Sequence, residues 1–233
     1  MSAWLGRLCL LTVFLGPALA HFAISSPMAG FGAFLLGVLM GVLSVLVGLL
    51  GLLIGPAPSR RSTLAAMAVG LAVVIAVAAV VVSRGGTHVP RINDITTDTE
   101  APPQFVHAAT VPENAGRDLA YPGAGFADQQ KAAYVDLGPV TLAMPPDEAF
   151  KQVAAAARSM PNWAITREDA TARALEGNDT SWLFRFKDDF VIEVRPAANG
   201  QSVVQMRSKS RDGKGDVGAN AARIRAFFQR LKS

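Results

Sequence analysis

The chain has 233 residues and a formal net charge of +4 at pH 7, which leaves room for a membrane segment and one domain of ordinary size. All 18 acidic residues lie at or beyond Asp94, whereas three of the 22 basic residues precede Arg84. The remaining 19 basic residues nearly balance the acids, and this argues against nucleic acid as a partner. The single Cys9 excludes an intramolecular disulfide, and the scattered histidines show no zinc spacing, so we predict neither a metal nor a cofactor.

Residues 1–84 contain two uncharged runs, 31–54 and 64–82, each long enough to cross a bilayer as a helix. A third apolar run near the N-terminus has two interpretations. It is typical of a signal peptide, because Ala18-Leu19-Ala20 precedes His21 as a cleavage site would. It also fits an uncleaved span over about 4–24, which we favour. The sequence therefore predicts two or three transmembrane helices.

The basic residues between these runs predict the orientation. Arg60 and Arg61 lie between the second and third runs, and Lys and Arg near span ends are retained on the cytoplasmic side. The third span then exits on the far face under either interpretation of the first run. We expect a multi-pass protein of the cytoplasmic (inner) membrane whose partner is the lipid bilayer. Its C-terminal domain is expected to be extracytoplasmic, which means periplasmic in a cell with two membranes.

Small residues recur at helical spacing in the second run, at Gly37 and Gly41 and again at Gly51 and Gly55. Such residues let helix backbones approach closely in lipid. We expect this face to pack against the third span of the same chain rather than a second copy, because short loops bring neighbouring spans together. The pattern leaves the oligomeric state open.

Residues 85–139 are rich in proline, which excludes long regular elements. The same stretch contains several aromatic and apolar residues, among them Phe105, Leu119 and Tyr121. We expect an irregular segment that wraps the folded domain, with a single helical turn at about 127–133.

From residue 140 the pattern becomes regular and predicts a soluble domain over 140–233. A short strand at 140–144 precedes a helix that Pro146 opens. Its apolar stripe consists of Phe150, Val153, Ala154 and Ala157. A second amphipathic helix, with Asp216 as its N-cap, presents Val217, Ala221, Ile224, Phe228 and Leu231.

Strand patterns occur at 163–166, 172–176, 181–187, 191–195 and 202–210. Their alternation favours a hairpin that pairs Phe184 with Val194 and makes 188–190 a three-residue loop. On the last strand, three basic residues point away from the apolar face: Arg207, Lys209 and Arg211. These elements predict an antiparallel sheet with two helices on one face, an α+β two-layer sandwich.

Four ordered segments carry a resemblance to a known family. They are residues 90–97 (PRINDITT), 186–189 (FKDD), 207–220 (RSKSRDGKGDVGAN) and 220–225 (NAARIR). With them the chain resembles, over nearly all of residues 90–231, the bacterial family catalogued as domain of unknown function fourteen ninety-nine. The apolar N-terminal runs look like those of its membrane-bound members. The resemblance implies a fold and a membrane placement, but it implies no reaction.

The same segments supply the candidate binding residues, which are Arg91, Asp94, Asp188, Asp189, Arg207, Ser208, Ser210, Arg211, Lys214, Asp216, Asn220 and Arg223. The leading interpretation is an ionic network in which the arginines pair with the aspartates and clamp the wrapping segment to the sheet. A second interpretation is an anion site in the turn around Lys214.

Two classes of function remain open at this point. The first is a binding or interaction module of the cell envelope, whose partner is another envelope protein or a small anionic ligand. The second is an envelope enzyme or anion-binding protein that acts on a phosphate- or carboxylate-bearing ligand at the 207–223 cluster. No histidine follows His107 and Cys9 lies in an apolar run, so the soluble domain over 140–233 supplies no histidine or cysteine for a Ser-His or Cys-His pair. We therefore favour the binding module, with no catalytic residue assigned.

Overall fold

The computed structural model describes residues 1–54, 60–83 and 89–233, which form two compact units. The first, the helical unit, contains the N-terminal helices together with the four residues Trp182–Arg185. The second, the sheet unit, contains the described residues from Val89 to Ser181 and from Phe186 to Ser233.

Three helices form the helical unit: α1 (Ser2–His21), α2 (Pro27–Ile54) and α3 (Arg60–Ser83). Each is long and apolar enough to cross a membrane. The prediction of long apolar helices at the N-terminus is therefore confirmed. Arg60 and Arg61 form the start of α3 itself rather than a separate loop.

Close backbone contact between α2 and α3 is built on small residues. A Cβ at Gly70 of α3 would collide with the carbonyl oxygen of Gly41 on α2. Next to it, the Ser44 hydroxyl donates to the carbonyl of Ala66 at 3.0 Å. The expected packing of this face against the third helix is confirmed at Gly41, and Ser44 adds a hydrogen bond to the same contact.

The rest of the small-residue pattern behaves differently. Gly37 faces α1, because a Cβ there would lie 2.5 Å from Cγ2 of Val13. Gly51 faces open space, and Gly55 lies outside the described residues. The face predicted as one surface is thus divided between α1 and α3.

The sheet unit is built on an antiparallel sheet, which confirms the α+β class. Its strands are β1 (Asp94–Thr96), β2 (Val140–Leu142), β3 (Trp163–Asp169), β4 (Ala174–Thr180), β5 (Lys187–Pro196) and β6 (Ser202–Ser210). The order is β1-β6-β5-β4-β3, and β2 also pairs with β6. The helices are α4 (Ala124–Ala133), α5 (Pro146–Arg158) and α6 (Ala219–Lys232). The helix α4 has ten residues, so the predicted single turn at 127–133 was too short.

One face of the sheet carries α5 and α6 over the main core. Pro146 occupies the first turn of α5, and the four predicted stripe residues of that helix are buried. Opposite them lie the alternate residues of β5 and β6: Phe190, Ile192, Val194, Val204 and Met206. Alternation along the strands places all five on the helix side.

The predicted stripe of α6 is correct from Ala221 onward and wrong at Val217. The helix begins at Ala219, and Val217 precedes it with a φ of 51° and 53% exposure. A fully buried residue of this helix, Phe227, was not among those predicted. The predicted apolar stripe therefore began two residues before the true start of the helix.

The predicted hairpin between Phe184 and Val194 is wrong. Residues Lys187–Pro196 form one continuous strand, and the chain reverses between Ser181 and Phe186 instead. The Ser181 amide donates to the Phe186 carbonyl at 2.8 Å, and the Phe186 amide donates to the Ser181 hydroxyl at 2.9 Å. Residues 188–190, read as a loop, are buried inside β5.

The second face of the sheet is covered by irregular chain between β1 and α4. Phe105, Ala108 and Leu119 pack on Val191 of β5. The Glu176 carboxylate on β4 accepts hydrogen bonds from three consecutive amides, those of residues 106–108, at 2.8–3.1 Å. One buried carboxylate thus supplies the partners for backbone groups that lie in no regular element.

Candidate functional site

The polar residues singled out in the sequence lie on both faces of the central strands. Asp94 of β1 and Asp189 of β5 both pair with Lys209 of β6, so all three side chains lie on the face of the sheet away from the helices. Arg207, two residues before Lys209, lies on the same face. Asp188 pairs with Ser210 and faces α6 with Ser208. The sequence-adjacent aspartates therefore belong to two separate clusters.

The first cluster surrounds Arg207, which is fully buried. Its Nε and one terminal nitrogen donate to the two oxygens of Asp94, both at 2.8 Å. Lys209 Nζ donates to the same carboxylate at 2.8 Å. Two backbone carbonyls, those of Pro103 and Leu119, accept the other donors of Arg207 at 3.2 and 2.8 Å. The guanidinium therefore has acceptors on several sides within the protein.

Two aromatic rings complete the environment of Arg207. The ring centroids of Phe105 and Tyr121 lie 4.8 and 5.5 Å from its Cζ, within the range of a cation–π contact. Burial raises the pKa of Tyr121 to about 12, the Asp94 charge adds to the shift, and the Arg207 charge opposes it. No solvent-open space adjoins this guanidinium, because the side chain has zero exposure.

The second carboxylate on this face, Asp189, is also paired. Arg211 donates to its Oδ1 at 2.7 Å, and Arg117 donates to its Oδ2 at 3.1 Å. The side-chain amide of Asn114 donates to Oδ2 at 3.0 Å. Arg117 and Asn114 belong to the irregular covering chain, so Asp189 joins that chain to β5 and Arg211.

On the helix face, Arg223 of α6 connects two strands. It donates to Asp179 of β4 at 2.8 Å and to Asp188 of β5 at 2.6 Å. Burial alone would lower the pKa of Arg223, but the charges of Asp188 and Asp179 outweigh it and raise the pKa. The strong pairing holds the arginine charged.

Neutral side chains extend this cluster. The Ser208 hydroxyl donates to Asn220 Oδ1 at 2.7 Å, and Asn220 Nδ2 donates to the Ser210 hydroxyl at 2.9 Å. Arg223 donates to the Ser208 hydroxyl at 2.8 Å. The three residues are buried and bonded to one another.

Among the described residues, no arginine pairs with Asp216, so its predicted place in the ionic network is wrong. Its two oxygens accept the amides of Gly218 at 2.9 Å and Asn220 at 3.0 Å, at the start of α6. The N-cap position belongs to Gly218, although the Asp216 carboxylate provides the capping hydrogen bonds. Burial raises the pKa of Asp216, while these hydrogen bonds act in the opposite direction.

Arg91 and Lys214 are exposed, and within the described residues neither lies within 4 Å of a carboxylate, so the predicted pairing of Arg91 with an aspartate is wrong. They line a cleft of about 360 Å³ together with Asn93, Phe126 and Gly213. The Asn93 amide donates to the Gly213 carbonyl at 2.7 Å and joins the two sides. The cleft contrasts with the buried clusters because its basic groups are open to solvent.

The cleft depends on a close approach at one glycine. A Cβ at Gly215 would lie 3.1 Å from Cγ of Arg91 and 3.4 Å from its Cα. The missing side chain at this position lets Arg91 lie against the turn that carries Lys214. Gly213 adopts a φ of 77°, which a residue with a side chain rarely takes.

Sequence reasoning missed several members of the clusters. Asp179 and Arg117 lay in segments that read as turn and irregular chain, so nothing marked them. Lys209 carries a detectable sequence signal, because it alternates with Arg207 along β6 and must therefore share its face of the sheet. In the structure both side chains contact Asp94. Glu176 ends the predicted strand 172–176 after two apolar residues, and its burial is visible only in the structure.

Among the described residues, both buried clusters hold paired charges, and the Ser208 and Ser210 hydroxyls hydrogen-bond to Asn220. Within the described ranges, no three His, Cys, Asp or Glu side chains form a group that could hold a metal ion. The open cleft offers a guanidinium, an ammonium and a phenyl ring, which suits a small anion with an apolar part.

A family model described as "Protein of unknown function (DUF1499)" matches residues 94–231, which include both buried clusters and Lys214. No curated protein matches the chain.

Proposed function

This chain belongs to the family described as "Protein of unknown function (DUF1499)", and we propose that it is a membrane-anchored binding module of the cell envelope. We further propose that the sheet unit lies on the extracytoplasmic side of the cytoplasmic membrane and binds a small anionic ligand. The observation that carries this proposal is the contrast between the paired basic residues of the clusters and the open pair Arg91 and Lys214.

The charges at the ends of the apolar helices support the proposed side. Arg60 and Arg61 begin α3, where the helix dipole favours acids rather than bases. Their position therefore gains nothing from the helix, but it accords with the retention of basic residues on the cytoplasmic side. The connection between α1 and α2 carries no charge and can lie on the opposite side.

The buried clusters act as clamps in this proposal. Arg207, Arg211 and Arg223 each meet a carboxylate, and Asp94, Asp188 and Asp189 are each less than a tenth exposed. An anion at Arg207 would have to displace Asp94 from a site without solvent. This supports a structural role and disfavours the alternative of an enzyme that acts at the 207–223 cluster.

The cleft is the better binding candidate because, among the described residues, Arg91 and Lys214 have no carboxylate partner that a ligand would have to displace. Arg91 and Lys214 approach from β1's flank and from the turn before α6, with Asn93 between them. A phosphate or carboxylate placed between them gains charge-assisted hydrogen bonds of about 1.5–3 kcal/mol each. Phe126 can contact an adjoining apolar group.

Calorimetric titration of the full chain in detergent, with inorganic phosphate and with butyrate, tests this proposal. We expect Arg91→Gln and Lys214→Gln each to weaken binding by roughly tenfold or more, since each removes one charged donor. Arg195→Gln is the matched control, because Arg195 is basic and 38% exposed but already pairs with Glu193 at 2.7 Å. Absence of binding, or equal weakening by all three substitutions, would refute the anion site.

A further inference from the structure

The connection between β4 and β5 has an unusual composition for the tip of a hairpin. Residues 181–186 read Ser-Trp-Leu-Phe-Arg-Phe, with three aromatic residues and none of the Gly, Asn or Asp that turns favour. Trp182 is 69% exposed and Leu183 is 41% exposed. Exposure of such large apolar side chains to water is unfavourable in free energy, so a patch of this kind usually marks a surface that contacts a partner or a membrane.

The tip is nevertheless ordered at its base. The two hydrogen bonds between Ser181 and Phe186 close the connection, one of them through the Ser181 hydroxyl. Arg185 adopts a φ of 61°, a conformation uncommon for a residue with a side chain, and its side chain is exposed. In this backbone conformation, the side chains of Trp182 and Leu183 are exposed rather than buried.

Trp182–Arg185 group with the helical unit, in which they have aromatic contacts. The Phe184 ring lies edge-on to Phe31 and Phe34 of α2, with centroids 5.2 and 5.6 Å apart. The Trp182 ring lies 5.3 Å from the His21 ring, and His21 Nδ1 lies 2.8 Å from the Trp182 carbonyl.

These contacts all lie at one end of the helix pair. His21 is the last residue of α1, and Phe31 is in the second turn of α2. The uncharged connection between them exposes Phe22 (71%) and Ile24 (72%) as well. Exposed aromatic and apolar residues at the end of a membrane-spanning helix are typical of the headgroup region of a bilayer.

We propose that Trp182–Arg185 is an interfacial anchor, which inserts Trp182 and Leu183 into the headgroup region of the membrane that α1–α3 span. The amphipathic indole suits this depth because it has an apolar body and one N–H donor. Arg185 extends its guanidinium to lipid phosphates while its stem covers apolar surface. The occupant is a lipid surface rather than a second protein, because the tip groups with helices that are themselves suited to lipid.

Fluorescence quenching in vesicles tests the anchor on the full chain. The chain has three tryptophans, and Trp4→Phe removes the one in α1. The W4F chain retains Trp182 and Trp163, whose ring lies 4.0 Å from that of Phe190 in the sheet core. The W4F/W182F chain retains Trp163 alone and is the matched control. Both are reconstituted into phosphatidylcholine vesicles with and without bromine on the acyl carbons nearest the headgroup.

We expect brominated vesicles to quench W4F and to leave W4F/W182F unchanged, with aqueous acrylamide quenching Trp182 weakly. Equal fractional quenching of the two chains, or strong acrylamide quenching of Trp182 without bromine quenching, would overturn the anchor. The second pattern would assign the tip to water or to a protein partner. Should W182F fail to fold, W182Y removes the same fluorophore while it keeps an aromatic ring with a polar end. The result is independent of whether the Arg91–Lys214 cleft binds an anion.

Discussion

Removal of the Asp94 carboxylate should strongly destabilise the sheet unit. Asp94→Ala leaves Arg207, with zero exposure, and Lys209, with 10% side-chain exposure, without their shared acid. Breaking a buried ion pair on one side costs about 3–5 kcal/mol, because the remaining charge is left without solvent or partner. Two cations lose their acid here, so we expect the upper part of this range.

The double-mutant cycle with Arg207→Met separates the pair from its surroundings. Removing both partners eliminates the uncompensated guanidinium, so D94A/R207M should cost much less than the sum of the single substitutions. Urea unfolding in mild detergent, followed by Trp163 fluorescence in a W4F/W182F background, reports on the sheet unit. Trp163 reports on the packing of α6 against the sheet, because its ring stacks with that of Phe227 at a centroid distance of 5.5 Å.

Glu100→Ala is the control for a pair at the surface. Lys131 and Glu100 lie 2.9 Å apart with 55% and 83% side-chain exposure, and such pairs contribute about 0–1 kcal/mol. If Asp94→Ala costs no more than Glu100→Ala, or if the cycle is additive, the clamp interpretation fails.

Three further predictions concern residues of α6 and of the turn before it. Phe227→Ala should cost about 3–5 kcal/mol in urea unfolding, because the ring is fully buried between α6 and the sheet; a loss below about 1 kcal/mol would contradict the packing. Val217→Asn should be neutral or stabilising by up to about 1 kcal/mol, since Asn tolerates the left-handed conformation better; a clear loss would mean that the Val217 side chain packs in solution. The Asp216 carboxyl should titrate above its ordinary value of 3.8 in carbon-detected NMR. Because its folded pKa is raised, its contribution to stability should fall as pH rises from about 3.8 through the folded pKa, and Asp216→Asn should remove that slope; a pKa below 3.8 would reverse the sign.

The helices were predictable because each carries its own periodic signal. In α5, Pro146 marks the start and Phe150 and Val153 mark the buried face, and packing agrees with both. The end of α6 near Leu231 was equally clear. Its start was not, because Val217 continues the apolar spacing although the chain has already left the helix.

The strand register was not predictable from local pattern. Asp188 and Asp189 have the composition of a loop, and Gly177-Asn178-Asp179 has that of a turn. Both lie inside paired strands because distant arginines satisfy the acids. A Cβ at Gly177 would lie 2.5 Å from the Phe190 ring, so this glycine makes room for a core residue rather than a turn.

The sequence predicted that arginines and aspartates of the candidate site form ion pairs, but it predicted only some of the pairs. Opposite charges of similar number in the motif segments indicated pairing, and Arg207–Asp94 and Arg211–Asp189 are such pairs. The distinction between these paired arginines and the open Arg91 depends on which residues the fold brings together. A single sequence does not show which basic residues are paired, because paired and unpaired arginines have the same local sequence character.

Labelling of introduced cysteines in spheroplasts tests the extracytoplasmic placement of the sheet unit. In a Cys9→Ala background, Lys214→Cys reports on the cleft and Arg61→Cys reports on the start of α3. We expect a membrane-impermeant maleimide to label the cysteine at 214 in intact spheroplasts and the one at 61 only after permeabilisation. Labelling at 61 and protection at 214 in intact spheroplasts would contradict an extracytoplasmic binding module.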